Sequence, residues 1–277
     1  MQGKFGVIGH PIGHTMSPFI QKELFNLRGF DGVYDKYDIS PERLKPEMSG
    51  VLKDLNGFNV TIPHKIAILP YLDEIDAVAA EYGAVNTVKL QEGRFIGYNT
   101  DAYGFKKGLE LSGIALAGRV AVYGYGGAAR TIITECIKAG CEVAVVTSFE
   151  RKQTALNAAK KINDKVTVLA TEELDSNFDL FINASPVGMY PNSSISPLSY
   201  EQLALFSGVY DIVYNPSETE LVKMAKNKGI ACGTGISMLV CQAQLAQTYW
   251  YGAAFSTDET KLVVERARQK LQEVFGK

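Results

Sequence analysis

Two side chains in the first half of the chain are of the types that could pass a proton to and from an alcohol. Lys65 ends the segment Asn59–Lys65, and Asp101 ends the segment Gly97–Asp101. A lysine that is partly desolvated in a cleft has a lowered pKa and can exchange protons near neutral pH, and a carboxylate beside it could orient its ammonium group. Each residue also has an ordinary interpretation, an exposed lysine on a turn and a helix cap, so the pair alone leaves the function open.

Hydroxyl and amide side chains accompany this pair at the predicted carboxyl ends of strands. Thr15 and Ser17 carry hydroxyls that could hydrogen-bond a carboxylate. The amides of Asn59, Asn86 and Asn99 could fix the hydroxyl groups of a polyol. Because the carboxyl ends of strands form one edge of a sheet, we expect these groups to face a cleft between two domains. The set predicts a small, oxygen-rich, anionic substrate.

A glycine-rich turn in the second half of the chain predicts dinucleotide binding. An apolar, strand-like run is followed by the segment Gly124–Arg130. Gly124, Gly126 and Ala129 occupy the three small positions of the dinucleotide fingerprint. We expect a helix to begin near Ala128 and to direct its N-terminal N–H groups and positive dipole end at a pyrophosphate. A turn that merely reverses the chain would show the same glycines.

The residues after the next predicted strand indicate which dinucleotide is expected. A site that prefers NAD has an acidic residue about 20 residues after the glycines. Here the nearest acid, Glu150, comes late and is followed by Arg151 and Lys152. Together with Arg130, these cations favour the 2′-phosphate of NADP. In the alternative interpretation, Arg151 and Lys152 are solvated residues in the first turn of a helix.

Length and composition limit the classes of protein to consider. With 277 residues and 46% apolar content, the chain can bury a large core, and a usual domain size of about 150 residues suggests two domains. A net charge of -2 argues against nucleic acid as a partner. The sequence has no long apolar segment and no charged-then-apolar leader, so we expect no membrane association and a soluble, cytoplasmic protein.

No metal site or disulfide framework is expected. The four cysteines form no C-x-x-C pair and are typical of reduced core residues. His10 and His14 have the spacing of a helical metal pair, but Pro11 and Gly13 between them indicate a loop.

The order of apolar runs and helical patterns predicts an α/β protein with two α/β domains. The first half reads as a mostly parallel sheet with a hairpin at Val85–Leu90 and Arg94–Tyr98, and the second as a Rossmann-like, doubly wound domain. We predict a substrate-binding catalytic domain over residues 1–104 and a Rossmann-like NADP-binding domain over residues 105–235. The C-terminal helices, residues 236–277, are expected to pack back on the first domain.

Taken together, the motifs resemble the shikimate dehydrogenase family, over nearly the whole chain and in the family's order. The segments that carry the resemblance are Gly9–Pro18, Asn59–Lys65, Gly83–Thr87, Gly97–Asp101, the glycine turn, Asn183–Met189, Asp211–Pro216 and Met238–Gln242. The resemblance implies the reversible, NADP-linked reduction of 3-dehydroshikimate to shikimate in aromatic amino acid biosynthesis (the chorismate pathway). It implies a monomer or a homodimer and no metal.

The resemblance also assigns roles by position. Lys65 and Asp101 match the family's catalytic pair, and Thr15 and Ser17 would hold the substrate carboxylate. The residues that would contact the ring substituents are Asn59, Thr61, Asn86, Tyr214 and Gln242. The residues that would bind the cofactor are Gly124, Gly126, Gly127, Ala128, Ala129, Arg130, Thr147, Ser148, Arg151, Lys152, Met189, Ile212 and Gly235.

Three departures from the family's pattern bear on specificity. The family usually has serine at Thr15, the sequence Asn-Arg-Thr where this chain has Thr147-Ser148-Phe149, and glycine at Ser237. The missing arginine normally stacks on adenine and contacts the 2′-phosphate. These departures leave open a paralogue that uses NAD and also oxidises quinate. A regulatory nucleotide-binding module without turnover is a further alternative, against which the presence of both catalytic residues argues.

Overall fold

The structure is a computed structural model that describes residues 2–13 and 15–275, so His14 of the histidine pair lies outside the described residues. The chain divides into two compact units. Unit 1 consists of Met1–Tyr103 and Leu239–Ala267, and unit 2 of Gly104–Met238 and Arg268–Lys277. In this division Leu239–Ala267 group with the first unit and the described residues from Arg268 onward group with the second.

The elements alternate along the chain as an α/β pattern requires. The strands are β1 (Gly3–Gly9), β2 (Gly32–Asp38), β3 (Gly57–Val60), β4 (Glu74–Ile75), β5 (Thr87–Gln91), β6 (Arg94–Tyr98), β7 (Arg119–Tyr123), β8 (Glu142–Thr147), β9 (Thr167–Ala170), β10 (Phe178–Asn183), β11 (Phe206–Asp211) and β12 (Ala231–Thr234). The helices are α1 (Ser17–Arg28), α2 (Leu44–Ser49), α3 (His64–Ala67), α4 (Ala77–Tyr82), α5 (Asp101–Leu111), α6 (Gly127–Lys138), α7 (Lys152–Lys160), α8 (Glu220–Asn227), α9 (Gly235–Tyr251) and α10 (Thr257–Phe275). Short 3₁₀ turns lie between several of them.

The sheet of unit 1 is mixed, with the strand order β2-β1-β3-β5-β6-β4. Strands β1, β2 and β3 run parallel, whereas β5 is antiparallel to both of its neighbours. The reversal comes from the β5–β6 hairpin, whose two-residue turn has φ values of 53° at Glu92 and 77° at Gly93, as a tight hairpin turn needs. In this register Asn59 lies opposite Thr87.

Unit 1 has an apolar layer on each face of its sheet. On one face, Phe58 and Val88 are fully buried among residues from α2, α4 and the loops. On the other, Phe5 stacks on Trp250 of α9 with ring centroids 4.7 Å apart. Gly57 permits this approach, because a Cβ atom there would lie 2.3 Å from Nε1 of Trp250. Nε1 donates a hydrogen bond of 2.9 Å to the carbonyl oxygen of Val88, so α9 is fixed to the sheet.

The sheet of unit 2 is parallel throughout, with the order β12-β11-β10-β7-β8-β9. This is the doubly wound order, in which β7 is central and ligands bind beyond the carboxyl ends of the strands. The predicted α/β fold with a Rossmann-like second unit is confirmed. Its core is built from β-branched residues of the central strands, of which Val120, Val122 and Val145 are fully buried against α6 and α7.

Two short helices of unit 1 begin after a proline and after a capping aspartate. Lys65 lies in the one-turn helix α3, which begins directly after Pro63. Ile75 belongs to the short strand β4, and Asp76 caps α4 with its carboxylate. Within residues 2–13 and 15–275, no helix has the length and apolar character needed to cross a bilayer.

Candidate active site

Lys65 and Asp101 form an ion pair in unit 1. The Nζ atom of Lys65 lies 2.7 Å from Oδ2 of Asp101, although the two residues are 36 positions apart. The carboxylate is 8% exposed and the lysine side chain 27% exposed. The main-chain carbonyl of Lys65 accepts a hydrogen bond of 2.8 Å from the N–H of Val85, which ties α3 to the segment that leads into β5. The ammonium group is therefore both held by the protein and reachable by a small molecule.

The other oxygen of Asp101 is held from the opposite side. Oδ1 accepts a hydrogen bond of 2.9 Å from the side-chain amide of Asn86. The main-chain N–H of Asp101 donates to Oδ1 of Asn99 at 2.9 Å, and Asp101 is the first residue of α5. A carboxylate in the first turn of a helix interacts favourably with the helix dipole. Asp101 thus has a fixed orientation, with one oxygen on Asn86 and one on Lys65.

The asparagines predicted to meet a polyol are hydrogen-bonded mainly within the protein. Oδ1 of Asn59 accepts from Tyr34 at 2.7 Å and from Gln21 at 3.2 Å, and its amide nitrogen donates to Thr87 at 3.0 Å. The amide of Asn99 donates to a main-chain carbonyl at 2.9 Å. These side chains fix the loops around the ion pair, and their contact with a substrate stays a prediction.

The two hydroxyls proposed for a carboxylate lie together at the start of α1. Oγ1 of Thr15 donates to Oγ of Ser17 at 3.1 Å and accepts from the Ser17 main-chain N–H at 3.2 Å. Both residues are half-buried. Tyr34 faces Ser17, and burial raises the pKa of this phenol while its hydrogen bond with Ser17 lowers it. Thr61, also half-buried, follows β3 and donates its main-chain N–H to Ile8 at 2.9 Å.

The glycine turn of unit 2 has the geometry of a phosphate site. Gly124 has φ of 116°, and a Cβ atom there would lie 3.0 Å from the carbonyl oxygen of Ala184. At Gly126 and Gly127, by contrast, an added Cβ would meet no atom within 4 Å, so the space above the turn is open. Gly126 is the N-cap of α6 and supplies no side-chain cap, which leaves the first N–H groups of α6 available to an anion.

The residues after β8 include features that favour NADP and features that do not. Ser148 is the N-cap of a 3₁₀ turn over Phe149–Arg151, and Phe149 is 67% exposed. Lys152 donates to both carboxylate oxygens of Glu173, at 2.6 and 2.5 Å. Its charge is therefore neutralised by a protein partner, whereas Arg151 is exposed. The structure favours Arg151 over Lys152 as a contact for a 2′-phosphate.

Arg130, in the first turn of α6, lines an open groove between α6 and α7. The groove has a volume of about 270 Å³ and is also lined by Tyr125 and Lys161. Two cations on one groove favour an anionic group there. Lys161 was not among the residues expected from the sequence, because two helices and a strand separate it from the glycines along the chain.

The remaining predicted contacts lie at strand ends of unit 2 and on α9. Gly235 is required by close approach, since a Cβ atom there would lie 1.9 Å from the carbonyl oxygen of Ile212. Met189 is 44% exposed on the loop after β10. Burial raises the pKa of Tyr214 in unit 2, and Gln242 is half-buried on the part of α9 that belongs to unit 1.

Asp211, at the end of β11, is a buried carboxylate that the sequence-based reasoning did not single out. It is fully buried, and desolvation raises its pKa from 3.8 to about 6. Three hydrogen bonds oppose this shift, from the hydroxyl of Thr219 at 2.6 Å, the amide of Asn183 at 2.9 Å and the N–H of Val213 at 3.0 Å. Through these hydrogen bonds, the Asp211 carboxylate connects the ends of β10 and β11 to the start of α8.

Sequence reasoning missed three buried polar residues that connect to Asn59 by hydrogen bonds, directly or through Gln21, namely Gln21, Tyr34 and Gln247. Thr87 ends the motif Gly83–Thr87, but nothing in the sequence distinguishes its hydroxyl from that of any other strand threonine. Among the described residues, no group of three or more His, Cys, Asp and Glu side chains could hold a metal ion.

Comparison with known proteins connects both units to one family. The family model for the shikimate dehydrogenase substrate-binding domain matches residues 7–88. The chain is 40% identical over 258 residues to the NADP(+) shikimate dehydrogenase of Shouchella clausii, covering 91% of this chain and 94% of that protein. It is 39% identical to the enzyme of the same name from Methanocaldococcus jannaschii, covering 89% and 90% of the two chains.

A solved structure extends the likeness to the fold. The shikimate 5-dehydrogenase of Thermus thermophilus in complex with NADP(H) and shikimate superposes with a TM-score of 0.86 at 34% identity, covering 96% of this chain and 100% of that one. Identity of this level over nearly the full length, with the glycine turn and the Lys65–Asp101 pair in place, leaves one conclusion. The chain belongs to the shikimate dehydrogenase family.

Proposed function

We propose that this protein is an NADP-dependent shikimate dehydrogenase, an oxidoreductase that reversibly reduces 3-dehydroshikimate to shikimate in aromatic amino acid biosynthesis. The observation that carries the proposal is the 2.7 Å pair of Lys65 and Asp101, which is held by the protein yet partly open to solvent. Such a pair can pass a proton to or from an alcohol oxygen. The curated relatives in S. clausii and M. jannaschii bear the same activity in their names.

The residues of unit 2 fit an NADP molecule. The open space over Gly126 and Gly127 would accept the pyrophosphate, with the uncapped N–H groups of α6 as donors. Arg130 and Arg151 would bind the 2′-phosphate. The nicotinamide, when bound, supplies the hydride. Met189, Ile212 and Gly235 would border that ring, and Thr147, Ser148, Ala128 and Ala129 complete the proposed cofactor contacts.

Lys65 would handle the proton of the substrate's reacting hydroxyl. In the direction of shikimate oxidation, the neutral amine of Lys65 would accept the proton of the alcohol as the hydride passes from the carbon to the bound nicotinamide. In the reverse direction the ammonium group would return the proton to the carbonyl oxygen. Asp101 orients Nζ through its Oδ2 atom. Because Oδ1 is anchored on Asn86, the carboxylate has no freedom to rotate away from Lys65.

We assign recognition of the substrate to a set of hydroxyl, phenol and amide side chains. Thr15 and Ser17 would hold the carboxylate through their hydroxyls. We place the ring substituents against Thr61, Tyr214 and Gln242. We also propose that Asn59 and Asn86 contact the ring substituents. Their amides already make hydrogen bonds within the protein, so a substrate contact would be additional to these.

The test is turnover of shikimate by the purified protein with NADP, followed through the absorbance of the reduced nicotinamide. Lys65→Met should lower kcat by at least about 100-fold, because general acid–base catalysis contributes at least that factor. The matched control is Lys89→Met, which removes a half-buried lysine from strand β5 of the same unit. Near-normal kcat in Lys65→Met would refute the catalytic role, and no turnover by the unaltered protein would refute the function.

Two residues, Thr15 and Ser148, favour a second candidate function, in which the protein uses NAD and also oxidises quinate. Ser148 stands where the family usually has arginine, and Lys152 is paired with Glu173. A shikimate 5-dehydrogenase of Listeria monocytogenes, 28% identical with a TM-score of 0.80, has been solved with shikimate and NAD. The ratio of kcat/KM for NADP and for NAD, measured with shikimate and with quinate, separates the two candidates.

The proposal extends to the protein's setting. We place the enzyme in the cytoplasm, with shikimate and 3-dehydroshikimate as its small-molecule partners and neither nucleic acid nor membrane among them. We expect a monomer or a homodimer, which light scattering of the purified protein would distinguish.

A further inference from the structure

A continuous line of hydrogen-bonded side chains runs through the interior of unit 1 to the ion pair. We name it the amide chain, and its members in order are Gln247, Gln21, Asn59, Thr87, Asn86 and Asp101. The successive donor–acceptor distances are 2.7, 3.2, 3.0, 3.2 and 2.9 Å. Gln247, Gln21 and Thr87 have no exposed surface. The amide chain joins α9, α1 and strands β3 and β5 to the carboxylate.

Main-chain groups determine which side-chain atoms of the amide chain donate hydrogen bonds and which accept them. The side-chain nitrogen of Gln247 faces the main-chain carbonyl of Gln21 at 3.1 Å, and that of Asn59 faces the main-chain carbonyl of Asn86 at 3.3 Å. A carbonyl oxygen can only accept, so both atoms must be amide nitrogens. Oδ1 of Asn86 faces the main-chain N–H of Thr100 at 2.9 Å, which can only donate. None of these three amides can exchange the positions of its oxygen and nitrogen by rotation without losing a hydrogen bond.

Thr87 is the only hydroxyl in this line, and its role follows from that pattern of donors and acceptors. Its Oγ1 accepts from the amide of Asn59 at 3.0 Å, so its own proton is directed to Oδ1 of Asn86 at 3.2 Å. The antiparallel register of β3 and β5 places Asn59 and Thr87 opposite each other. The main-chain N–H and the hydroxyl of Thr100 also contact Oδ1 of Asn86, at 2.9 and 3.3 Å. Together with these contacts, the hydrogen bond from Thr87 keeps the Asn86 NH₂ group on Oδ1 of Asp101.

We propose that Thr87 is a positioning residue for the reaction. Its hydroxyl donates a hydrogen bond to Oδ1 of Asn86 and so helps to hold that amide in one orientation. Asn86 then keeps the carboxylate of Asp101 in the rotamer that presents Oδ2 to Lys65. This inference rests on the proposed function, since it concerns the same ion pair. In this proposal Thr87 acts through Asn86 and not by contact with the substrate or the reacting atoms.

Three variants test the role of the hydroxyl. Thr87→Val keeps the shape of the side chain and removes the hydroxyl, whereas Thr87→Ser keeps the hydroxyl. The matched control is Thr260→Val, which removes a buried hydroxyl that bonds Gln244 at 2.9 Å in the same unit and has no link to the amide chain. Thr87→Val should lower kcat by about tenfold with KM for shikimate changed less than about twofold, because misplacing a catalytic group costs turnover more than binding.

Thr87→Ser should recover most of that kcat, and Thr260→Val should keep the kcat of the unaltered protein even if it unfolds at a lower temperature. The side-chain NH₂ signals of Asn86, observed by NMR, should exchange with solvent faster in Thr87→Val than in Thr87→Ser. Equal kcat in Thr87→Val and the unaltered protein, or equal losses in the valine and serine variants, would overturn the inference.

The two proposals fail in different ways. If the unaltered protein turns over no shikimate with either cofactor, the proposed function fails, and the exchange of the Asn86 NH₂ group still decides whether Thr87 holds it. If the unaltered protein is active and Thr87→Val leaves both kcat and the NH₂ exchange unchanged, only the positioning role fails.

Discussion

Asp211 should make unit 2 less stable at neutral pH than in mild acid. The carboxyl group is fully buried in the folded protein, and desolvation raises its pKa from 3.8 to about 6. Between these two values the folded state binds more protons than the unfolded state, so the free energy of unfolding decreases as the pH rises. The contribution of this group is therefore complete below its ordinary pKa and is lost as the pH passes about 6.

The magnitude follows from the two pKa values. One pKa unit corresponds to ~1.4 kcal/mol, so the full titration changes stability by about 3 kcal/mol. Between about pH 5 and about pH 7.5 the linkage relation gives a loss of about 1.4 kcal/mol. Asp211→Asn has nearly the same shape and cannot ionise. Relative to the unaltered protein, this variant should therefore gain about 1.4 kcal/mol on going from the lower to the higher pH.

The assay is hydrogen exchange of the slowest main-chain amides in β10 and β11, corrected for the intrinsic effect of pH on exchange, because these amides report the unfolding of unit 2. Asp179→Asn is the control, since it removes an exposed carboxylate from the same unit. A stability difference between Asp211→Asn and the unaltered protein that is the same at both pH values, or that changes in the opposite direction, would refute the reasoning.

The structure also predicts how three further substitutions change stability, cofactor binding or cofactor preference. Trp250→Phe should lower the free energy of unfolding of unit 1 by about 1 kcal/mol in urea titrations followed by circular dichroism, because it removes the 2.9 Å hydrogen bond to Val88. Gly124→Ala should cost about 2 kcal/mol in the same assay and weaken NADP binding in calorimetry, since φ is 116° and the added methyl group lies 3.0 Å from the Ala184 oxygen. Ser148→Arg should raise the NADP-to-NAD ratio of kcat/KM by about tenfold, the size expected for one charge-assisted hydrogen bond to phosphate. An unchanged ratio would mean that other cations already saturate the 2′-phosphate site.

The parts of the fold that depend on local chemistry could be predicted from the sequence. The β5–β6 hairpin follows from Glu92-Gly93 between two apolar runs, and the strand–turn–helix at the start of the unit 2 sheet follows from Gly124 and Gly126. Turn residues and apolar periodicity act within a few positions, so a single sequence carries them. The regular alternation of unit 2 likewise predicts its doubly wound order.

The features that depend on tertiary packing could not be predicted in this way. The hairpin enters the sheet beside β3, which makes the sheet of unit 1 mixed, and no local signal specifies that neighbour. Gln247 meets Gln21 across 226 positions, and each looks like an ordinary polar residue of a helix. The ion pair that engages Lys152 depends on Glu173, which lies beyond the following strand. Charge patterns identify candidate cations but do not show which ones another side chain already neutralises.

The register between β3 and β5 also has a consequence for the evolution of the chain. Side chains alternate between the two faces of a strand. A one-residue shift in the pairing of β3 with β5 would therefore turn the Thr87 side chain to the other face of the sheet, away from Asn59. Such a change would break the hydrogen bonds that support the Lys65–Asp101 ion pair while leaving both residues of the pair present. Differences in chain length between related enzymes should therefore fall at the Glu92–Gly93 turn, where both strands have already ended, and not within Gly57–Val60 or Thr87–Gln91.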